Sequence, residues 1–369
     1  MTWMGKAQQI RRQSMKVNAV ASKLFSMLRE DGMRCCVLKG QGNALMYPNA
    51  YSRNPGDIDV WIDASRERIM EYAQKKFELE DDIRLQHLET SLDGVPVELH
   101  FFPCSMNNPI YHARLQKWFR RNADLQCSHI VGLPDEAGDI AIPTTAFNVI
   151  YQLTHLYHHF FDEGIGMRQI IDYFLVVNDF SKNVFLNNDL SNPSVSLSKG
   201  SSTAFPKPLS PQGTGDVTAL RCSEPLRSKD GGASKPSPNC AGWDRLGGNG
   251  DTTSTALDVV QRELKYLGLW RFAGAVMYVL HEALGLSEKK MIAPMDEKRG
   301  KLLLAEILNG GNFGRHFTKY GHFTQQGMAK KYFLKIWRNM HFVRYYPAEA
   351  LSEPIFRTWH FFWRLKHRR

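Results

Sequence analysis

The order of hydrophobic and polar positions divides the chain into a mixed segment of helices and strands followed by helices. Residues 6–31 repeat apolar side chains at helical spacing, and RCCVLKG, which follows, is typical of a short strand ending in a glycine turn. DIDVWID, residues 57–63, predicts a second strand. Two more predicted strands flank Asp93-Gly94, a dipeptide suited to a tight hairpin turn. The N-terminal part should therefore contain a small sheet with some antiparallel pairing.

From Pro143 onward, apolar residues recur at helical spacing and predict a helical region. The predicted class is an α+β fold, with residues 1–140 forming a small mixed-sheet core and residues 141–369 a helical domain. At about residues 182–254 the helical pattern is interrupted by a stretch dominated by Ser, Pro, Gly, Asn and Lys. Such a composition buries too little apolar surface to offset the entropy lost on ordering, so this stretch is predicted to be a disordered insertion.

Composition narrows the class of protein. The 369 residues include 43% hydrophobic and 23% charged side chains, which suits a globular chain of about two domains. No stretch approaches the roughly 18 uninterrupted apolar residues of a membrane span, and the N-terminus does not resemble a secretory signal. Six cysteines without a C-x-x-C pair indicate reduced thiols. The expected location is the cytoplasm.

The chain is strongly basic, with a formal charge of +10 and a pI near 9.2, which favours polyanionic partners such as nucleotides, nucleic acid or an anionic membrane surface. Part of the excess lies at the C-terminus, in FRTWHFFWRLKHRR. The preferred interpretation is a terminal helix whose aromatic residues pack on the body while its basic residues stay solvated. A nucleic-acid or membrane-surface element is the alternative, so nucleic acid is a possible but not a favoured partner.

Two carboxylates lie on one face of the strand at residues 57–63. Side chains two positions apart share a face, so Asp57, Asp59 and Trp61 point one way while the apolar residues between them point the other. Carboxylates held this close repel each other unless a cation lies between them, and Mg²⁺ is a suitable one. The alternative is a solvated strand face whose acids lie in water.

A third carboxylate favours the metal interpretation. In VPVELHFF, Glu98 lies on the polar face of a strand that could pair beside the Asp57 strand. Three acids on neighbouring strands could hold two metal ions for phosphoryl transfer. The preceding turn, with Lys39, Gly40 and Gly42, offers a cationic side chain and backbone N–H groups that could stabilise phosphate charge.

The helical half contains polar candidates of its own. His155 and His159 have the i, i+4 spacing of a zinc pair, but no Glu stands in the H-E-x-x-H position and no third ligand is evident. Partly buried or acceptor-facing histidines are the preferred interpretation. Arg168 and Asp172, also four residues apart, are expected to form an intrahelical ion pair.

One part of the chain resembles the uncharacterised bacterial nucleotidyltransferase family of the polymerase-β-like superfamily. The resemblance rests on residues 37–63, VLKGQGNALMYPNAYSRNPGDIDVWID, and on the later VELHFF. The family shows a Lys-Gly turn, a Tyr-Pro, an Arg, a D-I-D strand and a later acid before Leu-His. The positions that match here are Lys39, Gly40, Tyr47, Pro48, Arg53, Asp57, Asp59, Glu98 and His100. One departure from the wider superfamily is Gly40-Gln41 and Gly42-Asn43 in place of its usual Gly-Ser.

The resemblance implies transfer of a nucleoside monophosphate from an NTP to an acceptor hydroxyl, with two Mg²⁺ ions as cofactors. Asp57 and Asp59 would bind both metals, and Glu98 would complete the second metal site beside the attacking oxygen. Lys39, Gly40, Gly42 and Arg53 would bind the nucleotide. For Arg53, a simple ion pair with Asp57 or Asp63 remains an equal alternative.

Three classes of function remain open. The leading one is an Mg²⁺-dependent nucleotidyltransferase acting on a small molecule, sugar, protein or RNA. The second is an RNA-directed, toxin-like transferase, which the basic C-terminus would favour. The third is a catalytically silent binding protein with the same fold, which the missing Gly-Ser would favour.

Overall fold

A computed structural model describes residues 3–79, 84–190, 255–310 and 328–367. The strands are β1 (Cys35–Leu38), β2 (Ile58–Ile62), β3 (His87–Leu92), β4 (Val95–His100), β5 (Ile130–Gly132) and β6 (Asp139–Ala141). The helices are α1 (Trp3–Glu30), α2 (Gly40–Ala44), α3 (Arg66–Lys76), α4 (Pro109–Ser128), α5 (Thr145–Asp162), α6 (Met167–Leu190), α7 (Ala256–Tyr266), α8 (Trp270–Leu284), α9 (Glu297–Gly310), α10 (Met328–Met340) and α11 (Pro347–His367). The α+β class, with a small mixed sheet and a helical C-terminal region, is confirmed.

The main sheet has the strand order β1-β2-β4-β3. β1 pairs with β2 and β3 pairs with β4 antiparallel, whereas β2 and β4 run parallel at the centre. The predicted hairpin at Asp93-Gly94 joins β3 to β4, and both turn residues have positive φ, 51° and 70°, as a tight turn of this kind requires. The parallel pair is the feature that matters for the site, because it places two polar strand faces side by side.

The sheet separates two hydrophobic cores. Ile58, Val60 and Ile62 of β2 belong to a core shared with α1 and α3. Trp61, between them, belongs to the larger core built by the helices on the opposite face. This alternation is the one predicted from the sequence. It also places Asp59 on the face that the helices cover, so the solvated-face alternative is wrong for Asp59, which is 5% exposed.

Aromatic side chains fix the helices to that face. The Trp61 ring stacks on Phe147 of α5 with centroids 6.2 Å apart, and Phe147 stacks on Trp118 of α4 at 4.6 Å. All three rings are buried. Because the residues four and eight positions after Phe147 are Tyr151 and His155, this stack sets which face of α5 lies over the carboxylate strands.

The helical region extends past the predicted start of the insertion. Helix α6 continues through residues 182–190, a stretch with apolar residues at helical spacing and no Pro or Gly to end it. The rest of the predicted insertion, residues 191–254, lies outside the described residues. The described residues within 3–188 and 255–367 form one compact unit, and helices from both sides of the insertion share a core with Trp61 of the sheet.

The C-terminal helices hold the end of α5. Asp162, the last residue of α5, accepts hydrogen bonds from Lys335 Nζ of α10 at 2.6 Å and Arg357 Nη2 of α11 at 3.0 Å. Arg357 also pairs with Glu353. Burial raises the pKa of Asp162, but Lys335 and Arg357 outweigh it and hold that pKa below its usual range. The described helices include none long and apolar enough to cross a membrane.

The predicted terminal helix is present as α11, but of its four aromatic residues predicted to pack on the body only Trp363 does so, half-buried with the Arg66 guanidinium over its ring. Phe361 and Phe362 are 51% and 62% exposed instead of packing on the body. The reason is that the inward face of α11 is occupied by Glu349, Glu353 and Arg357, whose polar groups find partners there. Phe361 and Phe362 are therefore left on the remaining faces.

Phe147→Ala should lower the free energy of unfolding by about 3–5 kcal/mol, because it empties a buried site at the centre of the aromatic stack. Urea unfolding followed by circular dichroism measures the loss. Phe362→Ala, at an exposed position, is the matched control and should change stability by less than about 0.5 kcal/mol. Equal effects of the two substitutions would contradict the proposed packing of α5 on the sheet.

Candidate active site

The parallel pairing of β2 and β4 brings the predicted carboxylates together. Asp59 is directly opposite Glu98 in the register, and Asp57 immediately precedes β2. All three side chains line one cavity of about 300 Å³ between the sheet and helices α5 and α6. Lys39, Gly40 and Arg53 also line it. The sequence-based proposal of neighbouring acidic strands is therefore realised in the fold.

Asp59 is a buried carboxylate with two cationic partners. Its Oδ1 lies 3.2 Å from Lys39 Nζ and 3.0 Å from His100 Nε2. Burial alone would raise the pKa of Asp59, but Lys39 and His100 outweigh burial and hold the pKa well below its usual range. Asp59 is therefore ionised throughout the neutral range, and its charge is compensated by the protein itself.

Asp57 behaves in the opposite way. Burial raises its pKa, and the negative charges of Asp59 and Glu98 raise it further, with Lys39 only partly offsetting them. No ion pair to Asp57 is present among the residues that the structure describes. The cavity thus carries uncompensated negative charge at Asp57, where an added cation would be stabilised.

Glu98 shares a histidine with Asp59. His100 Nε2 lies 3.2 Å from Glu98 Oε2, so one imidazole bridges the two carboxylates across the parallel strands. Burial would lower the pKa of His100, but its bonds to Asp59 and Glu98 raise it to about 9. His100 is therefore an imidazolium at neutral pH and supplies the positive charge that lets both acids stay ionised.

A second histidine lies on the other side of Glu98. His87 of β3 is directly opposite His100 in the hairpin, and its Nδ1 is 3.6 Å from Glu98 Oε2. Burial, followed by the charge of His100, lowers the pKa of His87 to about 4, so this ring is neutral. Both of its ring nitrogens are buried without a hydrogen-bond partner.

Two sets of side chains in the site could hold a metal. Ligand atoms of His87, Glu98 and His100 lie within 4.8 Å of one another, a donor set suited to a borderline ion such as Zn²⁺. The oxygens of Asp57, Asp59 and Glu98 are the donors that Mg²⁺ prefers. The sets share Glu98.

Lys39 reaches this cluster from a strained turn. Its φ is 52°, a left-handed value that is uncommon for a residue with a Cβ, and Gly40 after it has φ 36°. Lys39 Nζ lies 3.0 Å from His155 Nε2, which in turn is 3.2 Å from His159 Nε2. Burial, then the charge of Lys39, lowers the pKa of His155 well below its ordinary value. His155 is therefore a neutral acceptor that orients the ammonium group, and these two histidines face Lys39.

Of the two turn residues that stand where the wider superfamily has Ser, Asn43 has a hydrogen-bond partner on α5. The Asn43 amide exchanges hydrogen bonds with the amide of Gln152 on α5, at 3.0 and 2.6 Å. Gln41 is buried, with its Oε1 unpaired. Gly42 does not line the cavity, and a Cβ there would lie 3.2 Å from Ile142. Within the turn, Lys39, Gly40 and Asn43 are the residues that face the cavity.

Arg53 forms a buried fork with Asp172 of α6. Its Nε and Nη2 donate to the two carboxylate oxygens at 3.0 and 2.9 Å, and Tyr47 Oη donates to Asp172 at 2.7 Å. The predicted intrahelical pair between Arg168 and Asp172 is wrong, because Asp172 receives Arg53 and Tyr47 instead. The alternative partners proposed for Arg53, Asp57 and Asp63, are also wrong. Arg168 lines the cavity beside Gly56.

Several groups of the site have roles that the sequence pattern does not predict. His100 was named only as a position of the family pattern, yet its spacing of two residues from Glu98 on a strand was a usable signal. For His87 the signal was its predicted place across the hairpin. The Tyr47, Arg53 and Asp172 contacts join residues 119 and 125 positions apart, and no local pattern encodes such pairs.

The cavity thus combines acidic side chains on a small mixed sheet with a cationic residue of the Lys-Gly turn. Residues 1–191 match the family model described as uncharacterised nucleotidyltransferase. Because the match covers more than half of the chain, the protein belongs to that nucleotidyltransferase family.

Two further comparisons add little. No curated protein matches the chain. Among solved structures, an antigenic nucleotidyltransferase-like protein from Paracoccidioides brasiliensis is 15% identical, with a TM-score of 0.29, and the match covers 44% of this chain and 75% of that one.

The raised pKa of His100 makes stability depend on pH. The pKa of His100 is about 9 in the folded chain, against 6.5 in the unfolded chain. The stabilisation that results is fully present below pH 6.5 and disappears as pH rises through 9. It corresponds to at most about 3 kcal/mol. Urea unfolding between pH 6 and pH 9.5 should show this decline in wild type and not in His100→Gln. His341→Gln, at an exposed position, should decline like wild type. Parallel curves for wild type and His100→Gln would contradict the bridging role.

Neutralising the two aspartates should have opposite effects on stability in metal-free buffer. Asp57→Asn relieves repulsion and should stabilise by less than about 1 kcal/mol. Asp59→Asn leaves Lys39 and His100 buried without their shared partner and should destabilise by about 3–5 kcal/mol. Thermal and urea unfolding measure both, with the exposed Asp139→Asn as control. The same sign of change for both variants would contradict the charge distribution described above.

Proposed function

We propose that this protein transfers a nucleoside monophosphate from an NTP to an acceptor hydroxyl, in an Mg²⁺-dependent reaction. The observation that carries the proposal is the convergence of Asp57, Asp59 and Glu98 in one cavity beside Lys39. Membership of a nucleotidyltransferase family supports the reaction type. The small mixed sheet with a D-x-D strand supports, as a further proposal, a place in the polymerase-β-like superfamily.

The residues present fit a divalent cation. All donors of the proposed Mg²⁺ set are carboxylate oxygens, and mutual repulsion with Asp59 and Glu98 contributes to the raised pKa of Asp57. In the proposed assignment Asp57 and Asp59 hold two Mg²⁺ ions and Glu98 completes the second site. When bound, the ions would neutralise the charge that develops on the triphosphate.

The protein's own groups prepare the site for phosphate. Burial would lower the pKa of Lys39, but Asp59, Glu98 and Asp57 raise it, so its ammonium stays charged. Its position is set by His155 and Asp59, and it can therefore neutralise a phosphate oxygen without reorganising. Arg168 is a second cation in the cavity, and it takes the role suggested for Arg53, whose fork is already filled by Asp172.

His100 keeps the carboxylates in register. Its imidazolium contacts both Asp59 and Glu98, so the two acids are held side by side before any ligand arrives. Burial would raise the pKa of Glu98, but the bond from His100 outweighs it and lowers the pKa. Glu98 is therefore an ionised acceptor on the β4 side of the cavity, where the attacking hydroxyl is proposed to bind. The acceptor is a small molecule, sugar, protein or RNA.

One observation favours a second candidate function, nucleotide binding without turnover. Lys39 and His100 already compensate the charge of Asp59, so the site can be stable with no metal. A catalytically silent protein with this fold would bind an NTP through Lys39 and Arg168, and Mg²⁺ would not increase its affinity for the NTP. The two functions therefore differ in whether nucleotide binding requires Mg²⁺.

Thermal melts of wild type should be recorded with each of the four NTPs. At least one of them should raise the melting temperature, and this increase should require Mg²⁺. Asp57→Asn removes the charge needed to hold the ions and should lose at least about tenfold in Mg²⁺-dependent NTP affinity, measured by calorimetry. Glu98→Gln should reduce pyrophosphate release more than NTP binding. Asp139→Asn is the control and should behave like wild type. Equal NTP affinity with and without Mg²⁺ would favour the silent alternative, and no binding of any NTP would overturn both.

A further inference from the structure

Helices α10 and α11 are amphipathic, but they turn polar side chains toward the body of the protein and apolar side chains outward, the reverse of the usual arrangement. Their inward faces carry polar side chains: Arg338 and Asn339 of α10 are 2% and 1% exposed, and Glu349 and Glu353 of α11 are both 1% exposed. Glu349 accepts hydrogen bonds from the backbone N–H groups of Asn107 and Asn108. The polar faces of both helices thus pack on the body of the protein, and several of their large apolar side chains lie on the opposite, exposed faces.

The apolar residues form a stripe on the outside, which we call the outer stripe. On α11 its members are four and then seven residues apart, and on α10 they are four and three apart, so each set lies on one helix face. Their side chains are between 50% and 73% exposed. The outer stripe consists of Phe333, Trp337 and Met340 on α10 and Leu351, Ile355 and Phe362 on α11.

The charges around the outer stripe have one sign. Within residues 328–367 the acids are Glu349 and Glu353, and both are buried. The basic residues Arg344 and Lys366 are exposed, and Lys366 lies four residues after Phe362, on the same face of α11. Residues 328–367 therefore present large exposed apolar side chains together with exposed positive charge, and neither of the two carboxylates in this range is exposed.

We propose that the outer stripe docks on the surface of an anionic lipid bilayer. Interfacial helices bury aromatic and aliphatic side chains at the boundary of headgroups and acyl chains, while Lys and Arg contact lipid phosphates. Trp337 and Phe362 are suited to that boundary, and Leu351 and Ile355 to the acyl chains below it. The helices lie on the membrane and do not span it.

The chemistry of the stripe argues against other occupants. A nucleic acid would use the positive charge and could stack on aromatic rings, but it offers nothing to Met340, Leu351 and Ile355. A second copy of the chain in a two-fold contact would bring the same surface against itself, placing Arg344 and Lys366 near like charges. An anionic bilayer matches the apolar and the cationic residues together.

The helix that carries part of the outer stripe also contributes to a cavity next to the candidate active site. The inward side of α11, including Phe356, Arg357 and His360, lines a second cavity of about 380 Å³. That cavity and the carboxylate cavity share Arg84, Gln86, His87, His158 and Asp162. One helix, about 10 Å across, therefore separates the proposed bilayer contact from a space next to the site.

Flotation with lipid vesicles tests the docking surface. Full-length wild type should float with vesicles of phosphatidylcholine containing about a third phosphatidylglycerol, and much less with pure phosphatidylcholine vesicles. The triple variant Leu351→Ser, Ile355→Ser, Phe362→Ser should bind at least about a hundredfold more weakly, because it removes three membrane-inserting side chains. Arg344→Glu with Lys366→Glu should weaken binding about tenfold or more and reduce its salt dependence.

The matched control is the double variant Ile110→Ser, Leu308→Ser, which removes exposed apolar residues elsewhere and should bind like wild type. Circular dichroism and melting temperature should be unchanged in all variants, since every altered side chain is exposed. Full vesicle binding by the triple variant would overturn the proposal. The proposal would also be overturned if wild type did not bind the vesicles but instead self-associated without lipid or bound a single-stranded RNA oligonucleotide. In either case the triple variant would have to lose that interaction. NTP binding is measured separately, so failure here leaves the proposed function standing.

Discussion

The charge balance at Asp59 is the constraint on which the rest of the site depends. A carboxylate with 5% exposure is stable only if positive groups replace its lost hydration, and Lys39 and His100 do so from two directions. Lys39 must then adopt a left-handed backbone angle to reach it. His100 must be held on β4, in register with Glu98. The turn, the parallel strand pair and the bridging imidazolium thus all supply groups that contact or flank one buried negative charge.

The same principle joins the sheet to the helices. Lys39 contacts His155 of α5, Asn43 contacts Gln152 of α5, and Arg53 contacts Asp172 of α6. Each contact pairs a polar group of the turn region with a polar group buried on a helix, where an unpaired partner would be costly. The helices therefore do more than cover an apolar face. They set the orientation of the cationic residues around the cavity.

The sequence supported the local elements and the acidic strands well, because hydrophobic alternation over residues 57–63 and the Asp93-Gly94 turn are short-range signals. The convergence of Asp57, Asp59 and Glu98 followed from them. What could not be predicted were pairs made by tertiary contact, such as Arg53 with Asp172, because many helical positions could have supplied that partner. The exposure of Phe361 and Phe362 on α11 could not be predicted for a related reason. Helical periodicity shows which residues share a face, but it does not show which face packs on the body of the protein. Glu349 and Glu353 decided that.

The clamp on Asp162 has a consequence for synthesis of the chain. Its two cationic partners lie 173 and 195 residues later, so α5 leaves the ribosome with an uncompensated carboxylate at its C-terminal end, where the helix dipole is also unfavourable. At about 5–20 residues per second, the interval before both partners are made is about 10–40 s. During that time Tyr157 and Phe160 near the end of α5 also lack their later partners, Phe272 of α8 and Phe342. The segment that defines the family is thus completed by helices translated long after it, and its exposure to chaperones and proteases is set by how fast the ribosome reaches α11.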